Sequence, residues 1–260
     1  MTVRNPGLRR SRCRRSLGAA CAIVILSGLM SGIMLTAPGC APKTEPLLLR
    51  APWKPGELSR LEVRSATSGA PVADWLIAVR ATADGRGWVL RNTVTAPQGE
   101  ETSAVEVDGT TLAPLRVDFT AKGQLEASYT ALYGKGRCTV EATVGGRKQS
   151  GQVRLPSGPY FDNEQVVATL RAFPLAEGWK TSVAIIASRS VQKLQVAVEV
   201  SGTEEVSVPA GTYRCWVVEF PQLRQKAWIA VEPPHQLVKY VNEAALTESV
   251  LVEYSEGSQP

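Results

Sequence analysis

The chain has 260 residues and a formal net charge of +5. That charge is concentrated at one end: residues 1–39 hold six arginines and no acidic residue, which leaves −1 on residues 40–260. A near-neutral body has no net field to draw it along a phosphate backbone, which argues against nucleic acid as a partner, and a single histidine excludes a multi-histidine metal centre.

Arg4, Arg9, Arg10, Arg12, Arg14 and Arg15 precede an apolar run from Leu17 to about Ala37, and Thr36-Ala37-Pro38-Gly39-Cys40 follows. Basic head, apolar middle and small residues before a cut predict an export signal over residues 1–39. The segment resembles the signal of bacterial lipoproteins, which implies a lipid such as palmitate on Cys40, although Ala37 stands where such signals usually carry leucine. The alternative is an uncleaved anchor, since about twenty apolar residues span a bilayer. Both readings tether the chain to a membrane outside the cytoplasm. Ala41 lacks the acidic side chain often used for inner-membrane retention, which favours an outer-membrane address in a two-membrane cell. Residues 40–56 read as the lipidated cysteine and a short tether.

From residue 57 the pattern has period two. Leu61 and Val63 alternate with Arg60, Glu62 and Arg64; Trp75, Ile77 and Val79 share one face; Leu115-Arg116-Val117-Asp118-Phe119 reads as a half-buried strand. Asp84-Gly85, Asp108-Gly109, Lys122-Gly123, Gly134-Lys135-Gly136 and Gly145-Gly146 are turn signals. The rhythm breaks once, near 163–172, where Asp162 or Asn163 is placed to cap a short helix that ends before Pro174. Strands resume at 182–188, 192–200, 204–208, 212–220, 226–231, 237–241 and 249–254. The expectation is a single all-β domain over 57–255, an antiparallel meander forming a barrel or curved half-barrel, with a disordered tail at 256–260.

The second half carries Thr169-Leu170-Arg171-Ala172-Phe173-Pro174-Leu175, Val208-Pro209-Ala210-Gly211-Thr212-Tyr213, Ala227-Trp228-Ile229-Ala230 and Pro233-Pro234-His235-Gln236-Leu237-Val238-Lys239-Tyr240. Thr111-Leu112-Ala113-Pro114-Leu115 fits the same scheme. Over roughly residues 55–255 these phrases resemble a family of bacterial exported or lipoprotein β-domains catalogued only as a domain of unknown function. The resemblance implies a barrel-like export-compartment domain and brings no catalytic residue.

The search for chemistry agrees. Cys13 and Cys21 fall within the leader, leaving Cys138 and Cys215 as a candidate disulfide or as two unlinked buried thiols. A nucleophilic pair of either cysteine with His235 is disfavoured by the apolar strands around the thiols. There is no nucleophile elbow, phosphate loop or cofactor motif. Asp162, Glu164, Glu204 and Glu205 are carboxylates available for acid–base work, with solvated surface charge as the expected role. Arg147, Lys148 and Arg154 form a basic patch suited to lipid headgroups or an acidic partner, or else are scattered surface charges. Trp75, Trp88, Trp216 and Trp228 are core residues or the lining of an apolar pocket. The expected function is a non-catalytic binding or scaffold module for an apolar, envelope-derived or protein partner. The alternatives are a purely structural envelope protein and a hydrolase with an unrecognised carboxylate site.

Overall fold

The computed structural model describes residues 49–124 and 126–257. The expected leader, Cys40, most of the tether and the last three residues of the tail lie outside the described residues.

Fifteen strands form one sheet among the described residues. In chain order they are β1 (Glu57–Ser65), β2 (Pro71–Ala81), β3 (Gly87–Ala96), β4 (Gly99–Asp108), β5 (Pro114–Gly123), β6 (Ala127–Gly134), β7 (Arg137–Val144) and β8 (Arg147–Arg154). After a break come β9 (Tyr160–Asp162), helix α1 (Val166–Thr169) with a 3-10 turn at Leu170–Ala172, and β10 (Lys180–Ala187). A second 3-10 turn, Ser188–Ser190, leads to β11 (Gln192–Val208), β12 (Gly211–Phe220), β13 (Gln225–Ala230), β14 (Leu237–Asn242) and β15 (Thr247–Ser255). The sheet runs β8 back to β1, then β15 back to β9, so β1 and β15 pair at its centre. Every pairing is antiparallel except β9 with β10. The sheet is curved and does not close; β8 and β9 are its ends.

Alternation explains the inward face. Leu61, Val63, Trp75, Ile77 and Val79 are buried, while Arg60 and Leu76 on the opposite face are exposed. One feature departs from the expected pattern: residues 192–208 are one continuous strand, with Ser201 absorbed as a bulge where two strands were expected. The tether also ends earlier than expected, since Trp53 is buried edge-on against Trp88, ring centres 5.8 Å apart.

The interior is not left open. Segment 160–173 runs between two apolar clusters and is buried along most of its length. Phe161, Val167, Leu170 and Phe173 join the cluster built on β1, β2 and β10–β15. Ala168 and Ala172 join the one lining β2–β8. The break in strand rhythm is therefore the filling of the half-barrel.

Several phrases of the family resemblance fasten this filling. Arg171 forms a buried ion pair with Glu57 at the start of β1, and its Nη2 donates to the Pro234 carbonyl at 2.7 Å. Gln165 Nε2 donates to the Leu112 carbonyl at 2.9 Å. The 209–212 turn is fastened to the sheet instead, its Ala210 N–H donating to the Leu251 carbonyl of β15 at 3.2 Å.

Candidate functional site

The filling segment carries two carboxyl groups into the interior. Asp162 ends β9 and its Oδ1 accepts the Glu164 amide at 2.8 Å, a tight local turn that aims both side chains at the wall. Asp162 is fully buried and Glu164 is 7% exposed, which overturns the expected solvated surface role for this pair. Nor does Asp162 or Asn163 cap α1. Gln165 occupies that position without a side-chain capping bond and instead ties Asp162 N–H, Leu112 and Thr169 together.

Strands β6 and β3 of the opposite wall and the 3-10 turn after β10 supply the partners. Tyr133 of β6 donates its hydroxyl to Asp162 Oδ2. Tyr129 of the same strand donates to Glu164 Oε1 at 3.4 Å and receives the Ser188 hydroxyl at 3.1 Å. Asn92 of β3 donates to the Glu164 carbonyl at 2.8 Å and is itself fixed by Trp75 Nε1 at 3.2 Å. Arg189 lies 4.2 Å from the centre of the Phe119 ring on β5 and bonds Glu101 of β4 at 3.0 Å.

Burial decides the electrostatics. It pushes the Asp162 carboxyl up to about 6, although the Tyr133 hydroxyl, the Glu164 amide and Ser188 all favour the charged form. Burial, then repulsion from Asp162, pushes Glu164 up to about 7, against the pull of Arg189 and Ser103. Tyr133 and Tyr129 are both raised, chiefly by burial, and stay protonated donors. Such a pair can hold a proton at neutral pH and release it just above. General acid–base work on a substrate needs access as well, and these groups face packed protein.

The other sequence candidates are dispersed. Trp75 is in the main core against Tyr240, and Trp88 lies in the β2–β8 cluster with Trp53. Trp216 packs on the main core, while Trp228 belongs to a third cluster, donating to Glu204 at 2.8 Å beneath Lys239. These four rings do not meet around one pocket. Glu204 and Glu205 are exposed.

The candidate disulfide is corrected: Cys138 and Cys215 are both free and buried, in separate clusters. They face opposite sides of the fold, because β12 turns Trp216, Val218 and Phe220 to the main core and Cys215 and Val217 away from it. Burial is the first cause raising both thiols, to about 11 and about 12. Among the described residues no group of three or more His, Cys, Asp or Glu side chains is placed to hold a metal ion.

A surface depression of about 620 Å³ lies over β5–β8. Its side chains, among them Asp118, Thr120, Thr130, Glu141 and Lys148, alternate with the inward Phe119 and Tyr129, so it opens on the outer face and is separate from the carboxyl pair.

Tyr129, Tyr133, Ser188, Arg189 and Asn92 carried no signal in the sequence, since each reads as one polar or aromatic residue in a strand or turn. Arg171 stood within a quoted phrase, but nothing local marked it as buried.

Comparison with curated proteins gives no match. Among solved structures, the chain is similar to a beta-barrel-like protein of domain of unknown function DUF1849 from Brucella abortus. The identity is 10% and the TM-score 0.48, over 80% of this chain and 98% of that one. It is also similar to a Bacteroides fragilis protein described as exported, with a YmcC-like fold, at 14% identity and TM-score 0.29, over 80% and 99% of the two chains. The family model described as protein of unknown function DUF3108 matches residues 59–245, and the chain belongs to that family.

Proposed function

We propose that this protein is a membrane-tethered extracytoplasmic scaffold that works through its outer surface, without catalysis and without enclosing a small ligand. The export layout of residues 1–39 and the thiol of Cys40 support the tether. The observation that carries the scaffold reading is segment 160–173, which occupies the concave interior where a lipid-like ligand would otherwise sit. Its polar groups bond the wall on both sides, through Asp162 and Glu164 to β3 and β6 and through Arg171 to β1.

Native mass spectrometry of the protein purified from its own envelope tests this. The expected spectrum shows the polypeptide with only its covalent amino-terminal modification. A reproducible non-covalent mass that extracts into organic solvent would replace the scaffold with a carrier.

A further inference from the structure

The sheet has two ends, and they differ. β9 is three residues long and mostly buried. β8 is eight residues long, runs without a register shift against β7 and is exposed along most of its length. The β7–β8 connection is the two-residue turn Gly145-Gly146, with φ of +53° and +77°, a geometry that makes Val144 and Arg147 a hydrogen-bonded pair. Alternation then turns the N–H and C=O groups of Gln149, Gly151 and Val153 towards β7. Those of Lys148, Ser150, Gln152 and Arg154 point away from it, along the free edge.

The same hairpin is the basic part of the domain. Residues 135–154 carry Lys135, Arg137, Arg147, Lys148 and Arg154 against Glu141 alone, +4 on a body whose residues 40–260 sum to −1. All five cations are exposed, and none takes part in the ion pairs among the described residues. Charged edges discourage strands from pairing at random. On this one like charge would repel a second copy of itself, whereas an acidic strand would gain from both the main chain and the side chains. The edge is also held in place: Gly151 packs on Val191, whose Cγ1 lies 2.7 Å from where a Cβ would stand.

We propose that β8 is a docking edge, which takes an extended acidic segment of a partner protein as an added strand on the free main-chain groups of Lys148, Ser150, Gln152 and Arg154. Arg147, Lys148 and Arg154 select the acidic sequence. This rests on the reading of the domain as a scaffold working through its outer surface.

The test uses the full-length protein and two fluorescein-labelled peptides of about eight residues, a usual strand length, one alternating Thr and Glu and the other Thr and Lys. Fluorescence anisotropy should show the acidic peptide binding at least about tenfold tighter. Hydrogen exchange should slow at Lys148, Ser150 and Gln152 when it is bound. Ser150→Pro removes an edge donor without touching the β7 ladder and should weaken binding by about tenfold or more. Reversing Lys148→Glu with Arg154→Glu, both on exposed side chains, should exchange the peptide preference, and covers the case in which the proline variant does not fold. Equal binding of the two peptides, or binding indifferent to both variants, would overturn the proposal. Binding of phosphatidylglycerol vesicles without peptide binding would also overturn it and assign the patch to lipid headgroups. A self-paired dimer through β8 would do the same. None of these outcomes alters the expected ligand-free mass, so this proposal and the scaffold reading fail separately.

Discussion

Replacing Glu164 by glutamine should make the protein more stable at alkaline pH and slightly less stable in mild acid. In the folded chain Glu164 holds its proton to about 7, whereas an unfolded glutamate loses it near 4.5. Asp162 behaves likewise, about 6 against 3.8. Across this window the folded state binds more protons than the unfolded state, so stability falls as pH rises and the fall is complete above the folded values. At 1.36 kcal/mol per pH unit, the Glu164 displacement corresponds to about 3 kcal/mol lost by about pH 8. Glu164→Gln removes that loss but weakens the bonds from Tyr129 and Ser103, each worth about 1 kcal/mol. The expected net effect is about 2 kcal/mol of stabilisation near pH 8 and about 1 kcal/mol of destabilisation near pH 4, where most of the unfolded glutamate is still protonated. Urea unfolding midpoints at the two pH values, with unchanged slopes, measure both numbers. A variant equally destabilised at both would refute the reasoning, because it would mean that the folded protein holds Glu164 ionised at no cost.

Three further outcomes follow from the packing. Arg171→Met leaves Glu57 as a lone buried charge and should cost about 3–5 kcal/mol, most of it recovered in the Glu57→Gln, Arg171→Met double variant; urea unfolding of the two variants checks this, and a double variant no better than the single would refute it. Gly151→Ala drives a methyl against Val191 and should cost about 1–3 kcal/mol in thermal unfolding, with Val191→Ala restoring part of it; additive losses would show that the two residues do not compete for space. Cys138 and Cys215 should resist alkylation in the folded protein and both label in denaturant without reductant; a peptide pair two hydrogens light would contradict the free thiols.

The strands were legible because one side of each is buried, which imposes period two on residues such as Leu61, Val63, Trp75 and Ile77. Turns were legible where they need positive φ, as at Gly145-Gly146. The bulge at Ser201 was not, because Ser-Gly in a strand reads equally as a stop. The internal segment showed itself as a break in rhythm, yet its position did not. Asp162, Glu164, Gln165 and Arg171 make it look like surface, and it is buried only because Tyr133, Tyr129, Leu112 and Glu57 meet those groups from distant parts of the chain. A local pattern carries no record of such partners. The same reason left the carboxyl pair assigned to solvent, while the phrases that carry the family resemblance already held Arg171, Leu112 and Pro234, which fasten the interior.

The pairing of β1 with β15 also constrains how the molecule is made. Strands β1–β8 and β10–β15 can each assemble by hairpins between neighbours, but the seam joining them brings together Leu58 and Ser255, nearly the whole domain apart. Contacts of that sequence separation form late, because the loop between them must close first. An emerging chain therefore has two half-sheets with open inner edges until β15 is released, and a chain shortened before residue 247 keeps β1 paired with β2 but leaves its other edge open for good. Strand β15 acts as the closing stitch of the fold, and a stop codon just before it would leave the two half-sheets unjoined.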